Sequence, residues 1–134
     1  DFMNAYSAAA KQYQQVNVQS SVVDASPHRL IQMLFAGALE RIAQAKGAML
    51  RSDVVRKGEL ISKAINIVQG LQGSLNDTDG GELSTNLDLL YDYIIRTLIS
   101  ANQHNRPEQL DECGRLLGEI KGAWDNIAET GNSE

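Results

Sequence analysis

The residues of this chain that could carry chemistry are few: two histidines (His28 and His104), one cysteine (Cys113), and Asp77 and Asp79 beside Gly80-Gly81. None of their spacings completes a reactive site. A di-iron helical bundle needs a Glu three residues before each ligating His, and those positions hold Ala25 and Ala101. Covalent haem needs Cys-x-x-Cys-His, and a single cysteine excludes that pattern, an intrachain disulfide and a cysteine zinc site together. Met33 and His104 could be combined as ligands of a non-covalent haem, but their positions fit an apolar stripe and a helix end. A nucleophilic cysteine needs a base beside it. Cys113 lies on an apolar helical face with neither histidine near it in sequence, which suits a small buried hydrophobe. Gly80-Gly81 lacks the lysine and preceding strand of a phosphate loop. Asp77 and Asp79 do not continue into a twelve-residue calcium loop, and they suit a turn and its caps. The sequence therefore points away from an enzyme, and no cofactor and no metal are expected.

The elements that would position these residues are helices. The chain has 134 residues, 43% hydrophobic and 22% charged, with Pro27 and Pro107 its only prolines. That length suits one domain with a real core. Ser26 before Pro27 is a helix start. Leu30, Met33, Leu34, Ala38, Ile42, Ala45 and Met49 then recur at spacings of three and four, predicting a first helix to about Leu50. Ser52 or Asp53 caps a second, from about Val54 to Leu75, with Val54, Ile61, Ala64, Ile65, Val68 and Leu75 on one face. The run Asn76 to Gly81 breaks it. A third helix spans about Glu82 to Gln103 through Leu83, Leu87, Leu90, Tyr91, Ile94, Leu98 and Ala101. A fourth starts at Pro107 and carries Leu110, Cys113, Leu117, Ile120, Trp124 and Ile127, fraying after about Glu129. Short connections make sequential helices antiparallel. The expected fold is all-α: an antiparallel up-down four-helix bundle over 26–130, preceded by a mobile N-terminal arm over 1–25. Within that arm, Asn4 to Gln15 suits a short helix with Tyr6, Ala9, Ala10 and Tyr13 on one face. The valines from Val16 to Val23 suit an extended connection.

Charge narrows the partners. The net charge is −5, with eight basic and five acidic residues in 1–75 against four basic and twelve acidic in 76–134. Phosphate backbones require clustered Lys and Arg, so nucleic acid is not expected as a ligand. The acidic second half suits solvation or the orientation of a partner. No apolar run reaches the roughly 18–20 residues of a membrane span, so no membrane insertion is expected. No basic region followed by an apolar stretch marks a signal peptide.

Two helices carry more apolar surface than one seam requires. At about 100° per residue, Leu60, Ala64, Ile67 and Leu71 form a second stripe beside the Ile61, Ile65, Val68 and Leu75 centre of the second helix. On the third, Asn86, Leu90, Tyr93 and Thr97 lie to the same rotational side of the centre at Leu83, Leu87, Ile94 and Leu98. Such flanks either converge on a groove edged by Lys63, Asn86 and Tyr93 or pack against adjacent helices, and periodicity is satisfied by both. Extra apolar surface on a bundle suits recognition of an amphipathic helix, and also weak self-association as a homodimer.

The run Ser26-Pro27-His28-Arg29-Leu30-Ile31-Gln32-Met33-Leu34-Phe35 resembles the opening of the first bundle helix in the flagellin-specific export chaperones of the FliS family. So do Lys63-Ala64-Ile65-Asn66-Ile67-Val68, Gly80-Gly81-Glu82 followed by Asn86-Leu87, Leu90-Tyr91-Asp92-Tyr93, the late Ala123-Trp124 and the early Tyr13-Gln14-Gln15-Val16. The set spans about residues 4–128 in order. One departure is Ala36, where the family often has Asp before the Gly of Gly37-Ala38. The resemblance implies a cytoplasmic chaperone in bacteria that binds the C-terminal segment of flagellin. It would prevent premature polymerisation and support delivery to a component of the flagellar type III export gate. It also implies that the arm covers part of the binding surface, with Tyr13 as its contact. The expected partner-binding residues are Tyr13, Leu60, Lys63, Ala64, Ile67, Leu71, Asn86, Leu90 and Tyr93. Two other readings are a histidine phosphotransfer bundle, which needs an exposed mid-helix His, and a structural bundle that self-associates.

Overall fold

The computed structural model describes residues 25–77 and 80–127. The expectations for the arm, including Tyr13, and for the chain after Ile127 lie outside the described residues.

Each helix begins and ends where local chemistry dictates. Helix α1 spans Pro27–Leu50, and the Ser26 hydroxyl accepts from the Arg29 amide at 3.1 Å. That bond satisfies one of the amides that a helix start leaves open. At its far end Ser52 N donates to Met49 O and Asp53 N to Ala48 O, with Ser52 in the left-handed region at φ 61°. This tight reversal places Asp53 as the cap of α2 (Val54–Gly73), where its carboxylate accepts from the Arg56 amide at 3.2 Å. Helix α2 runs into one 3₁₀ turn, Ser74–Asp77. Helix α3 spans Glu82–His104, opened by Gly81 at φ 55° and closed by Asn105 at φ 53°. A positive φ suits Gly and is tolerated by Asn. Helix α4 spans Pro107–Asp125.

Side-chain links between helix ends establish the directions. Trp124 near the end of α4 donates to the His28 carbonyl at the start of α1, while Lys46 near the end of α1 pairs with Asp111 early in α4. Gln72 late in α2 donates to Asp92 in the first half of α3, and Lys57 early in α2 donates to Asn102 and Asn105 at the end of α3. These pairs run opposite ways along their helices, so the neighbours are antiparallel. The main contacts close a ring from α1 to α2, α3, α4 and back to α1. No strand occurs among the described residues.

The core corrects the face assignments on α2 and α3. Leu60, Ile61, Ala64, Ile67, Val68 and Leu71 are buried on α2, while Ile65 and Leu75 are half-buried and Val54 is exposed. A corner helix meets two neighbours, so it buries an arc wider than one stripe, and the expected second stripe is part of that arc. On α3, Tyr91, Ile94, Thr97, Leu98 and Ala101 are buried, but Leu87 and Leu90 are only half-buried and Leu83 is 65% exposed. The first turns of α3 thus lie at the edge of the core. On α1, Ile31, Phe35 and Ala48 join the expected core, whereas Leu30 and Met49 pack on its margin.

Candidate functional site

Where α1 begins, α2 ends, α3 begins and α4 ends, the helices leave an apolar cleft of about 610 Å³. Helix α1 contributes Pro27, His28, Ile31 and Phe35, which recur at spacings that place them along one side of the helix. The end of α2 contributes Leu71, Ser74 and Leu75, and α3 contributes Leu83, Leu87 and Tyr91. The last turns of α4 contribute Glu119, Ile120, Ala123 and Trp124, with Ile127 beyond them. Phe35, Leu71 and Tyr91 are buried, whereas Leu83 and Ile127 are exposed. The volume falls in the range of roughly 300–1,000 Å³ typical of ligand clefts.

Polar groups hold one wall. The Trp124 ring stacks on His28 with centroids 5.0 Å apart and planes 15° from parallel. Its Nε1 donates to the His28 carbonyl at 3.0 Å. One residue on, Asp125 accepts from Gln32 Nε2 at 2.8 Å and from Lys121 Nζ at 2.7 Å. The Lys121 hydrogen bond, helped by Gln32, lowers the Asp125 carboxyl below its ordinary range. These contacts tie the last turn of α4 to the first turns of α1 and set the width of the cleft. Deeper in, burial raises the Tyr91 hydroxyl.

The arrangement is suited to burying apolar side chains. Cys113 lies outside the cleft in the core, donating to the Ile94 carbonyl at 3.6 Å. Burial pushes its thiol up to about 12, which keeps it un-ionised near neutrality and a poor nucleophile. His28 is only 4% exposed and stacked on Trp124, unlike the exposed mid-helix histidine that phosphotransfer requires.

Of the described residues expected to bind a partner, only Leu71 reaches the cleft. Leu60, Ala64 and Ile67 are buried core residues, so they form no groove open between α2 and α3, although Leu60 borders a shallow depression on the α1 side. Of the two arrangements open to that stripe, packing against adjacent helices is the one observed. Lys63 and Leu90 are half-buried, and Asn86 is exposed. Tyr93 is exposed and turns toward α4, donating to Glu112 Oε2 at 2.7 Å. The Glu112 hydrogen bond raises the Tyr93 hydroxyl by favouring the protonated donor. The sequence reading passed over His28, Ile31, Phe35, Leu75 and Trp124 as site residues. The signal for His28, Ile31 and Phe35 is a second apolar line on α1 at spacings of three and four, beside the core stripe, whereas Leu75 and Trp124 belong to the apolar stripes expected for the second and fourth helices.

Comparison with known proteins supplies a family. The model of the flagellar protein FliS family matches residues 9–131. The flagellar secretion chaperone FliSB of Pseudomonas aeruginosa is 53% identical over 120 residues, covering 90% of this chain and 95% of that one. The flagellar secretion chaperones FliS of Salmonella typhimurium and Vibrio cholerae are 48% and 44% identical, the first covering 88% of each chain and the second 86% of this chain and 85% of its own. The family match covers the four helices and the cleft between their ends, and on it the chain belongs to the FliS family of flagellar secretion chaperones.

Proposed function

We propose that this chain binds the C-terminal helical segment of a flagellin in the bacterial cytoplasm, seats apolar side chains of that segment in the cleft, and keeps it from polymerising until export. The observation that carries this reading is the open apolar cleft itself, in a chain whose family consists of secretion chaperones. A filament-forming helix must expose an apolar face to its partners, and a helix whose apolar face is buried cannot join them. A client disordered before binding is ordered only on the bundle, which lowers affinity per unit of interface and favours release. Delivery to a component of the flagellar type III export gate completes this reading, and no catalytic step is required. Lys63, Asn86, Leu90 and Tyr93 would contact a client that continues past the cleft along α2 and α3. Tyr13 enters through the tether. The N-terminal segment joins the bundle at the cleft end, so its effective concentration there is high and it competes with the client.

The test is co-expression with a flagellin C-terminal fragment, followed by size exclusion. The fragment should co-elute with the chain. Leu83→Glu, at an exposed rim position, should abolish co-elution while circular dichroism stays unchanged. Full retention of the fragment by this variant would place the client elsewhere. Hydrogen exchange in the complex should slow at the cleft and rise in the arm, and slower exchange in the arm would make it a clamp rather than a competitor.

A further inference from the structure

At the opposite end of α1 the surface changes character. A shallow depression of about 460 Å³ runs along the seam of α1 and α2, lined by Ala43, Gln44, Gly47, Arg51, Arg56 and Leu60. Ala43 to Arg51 covers roughly 12 Å of helix. Two guanidinium groups line it and no carboxylate does. Arg56 has only an exposed pair with Glu59 at 3.5 Å, a geometry worth little in water. The Arg51 side chain has no carboxylate partner among the described residues. A Cβ at Gly47 would lie 3.1 Å from Arg51 Nη1, so the guanidinium rests close against α1 at the glycine. Beside the depression, at the tip of the reversal, Leu50, Val54 and Val55 are 65%, 67% and 73% exposed.

We propose that this depression and the adjoining apolar tip form a second docking surface, which takes an acidic, apolar segment of a partner protein independently of the cleft. Charge complementarity carries the choice of occupant. Two arginines in a seam lined by no acid attract carboxylates, and planar guanidinium groups pair with carboxylates two bonds at a time. A second copy docked by two-fold symmetry would bring the arginines of both copies together. A bilayer would meet the three aliphatic residues at the tip but could not follow a seam running about 12 Å up the side of the bundle. The α1 residues lining the cleft and the depression are centred roughly 24 Å apart along the helix, so client and partner can be held at once.

Isotope-labelled full-length chain is titrated with a 14-residue helical peptide of Glu and Leu, and with its counterpart carrying Gln in place of Glu. Saturable shifts confined to residues 43–60, seen with the acidic peptide alone, support the proposal. Arg51→Glu combined with Arg56→Glu should weaken that binding at least tenfold, while helicity and retention of the flagellin fragment stay unchanged. If the double variant unfolds, Arg51→Gln alone, at an exposed turn position, should still weaken binding severalfold. Equal shifts with the Gln peptide, or shifts scattered over the bundle, overturn the proposal. So does binding to vesicles of anionic phospholipid in the absence of peptide binding, or concentration-dependent dimerisation that Arg51→Glu abolishes. Loss of the shifts when the flagellin fragment is already bound would make the depression part of the client site. Failure of the fragment to bind at all would count against the function proposed above and leave this titration unaffected.

Discussion

The two ends of the bundle are built from the same four helices yet close in different ways. At the reversal between α1 and α2 the chain turns on three residues, with backbone hydrogen bonds from Ser52 and Asp53 back into α1 and the Asp53 carboxylate capping α2. Across that end the buried Lys57 ammonium donates to the Asn102 carbonyl at 3.0 Å and to Asn105 Oδ1 at 2.6 Å, joining α2 to the last turn of α3. At the other end α2 relaxes into a 3₁₀ turn, α3 starts on a glycine, and Trp124 and Asp125 tie α4 to α1. Apolar side chains there line a cleft instead of a seam. The lesson is physical: where polar contacts span neighbouring helix ends and the connection is tight, the bundle closes, and where the polar contacts hold only one wall, the apolar residues opposite it stay available to a ligand.

The largest test of this comparison lies between the ends. Ile67 is fully buried on α2. If its stripe is core, as the packing indicates, Ile67→Asp places an unpaired charge in an apolar interior and should cost upward of about 4 kcal/mol, a large part of a domain's typical stability. Thermal melting followed by circular dichroism reads this directly. A folded variant that has lost only flagellin binding would restore the open-groove reading.

The cleft wall should matter next. Trp124 is half-buried, so Trp124→Ala should cost about 2 kcal/mol, below the roughly 3–5 of a fully buried aromatic. Trp124→Phe keeps the stack on His28 and removes the Nε1 donor, and it should cost about 1 kcal/mol. Urea denaturation separates the two. Flagellin-fragment binding should fall further with Ala than with Phe, because Ala removes the wall itself.

At the closed end, Lys57→Met keeps most of the buried stem and deletes two hydrogen bonds from a charged donor to the end of α3. The expected loss is about 1–2 kcal/mol. Fragment binding should be unchanged, and a matched loss of affinity would show that the two ends are coupled.

The same contrast explains what could be read from the chain alone. Caps and breakers act within a few residues, so Ser26, Pro27, Asp53, Gly81 and Pro107 mark helix boundaries that the structure reproduces closely. The fold class follows from those boundaries and the short connections between them. Which stripe faces the core depends on the angle between helices, which periodicity does not contain. Leu60, Ala64 and Ile67 therefore looked like surplus surface, and Leu83 looked like core. The cleft was harder still, because it forms where the ends of four helices separated in sequence converge, and His28, Ile31 and Phe35 acquire their role only from Leu75, Leu83 and Trp124 opposite them.

The smallest expected effect is a pH dependence confined to the open end. Lys121 and then Gln32 hold the Asp125 carboxylate in its ionised form, so its folded-state value lies below the ordinary one. A depressed carboxylate contributes stability that is fully present above the ordinary value near pH 4 and is lost as pH falls through the depressed one. On protonation, Asp125 loses its ion pair with Lys121 and weakens as the acceptor for Gln32, which loosens the last turn of α4 against α1 and leaves Trp124 as a tie that remains there. Trp124 is the single tryptophan, so its emission reports on that wall alone. On acidification below about pH 4 its emission should shift to longer wavelength before helicity falls. Asp125→Asn should remove the early step by removing the titrating group. The acceptors of Lys57 at the other end are a carbonyl and a side-chain amide, which do not titrate, so amides around Asn102 to Asn105 should keep their exchange protection through the same range. An emission change that coincides with global unfolding in both proteins would show that the tie through Asp125 does not hold the cleft wall.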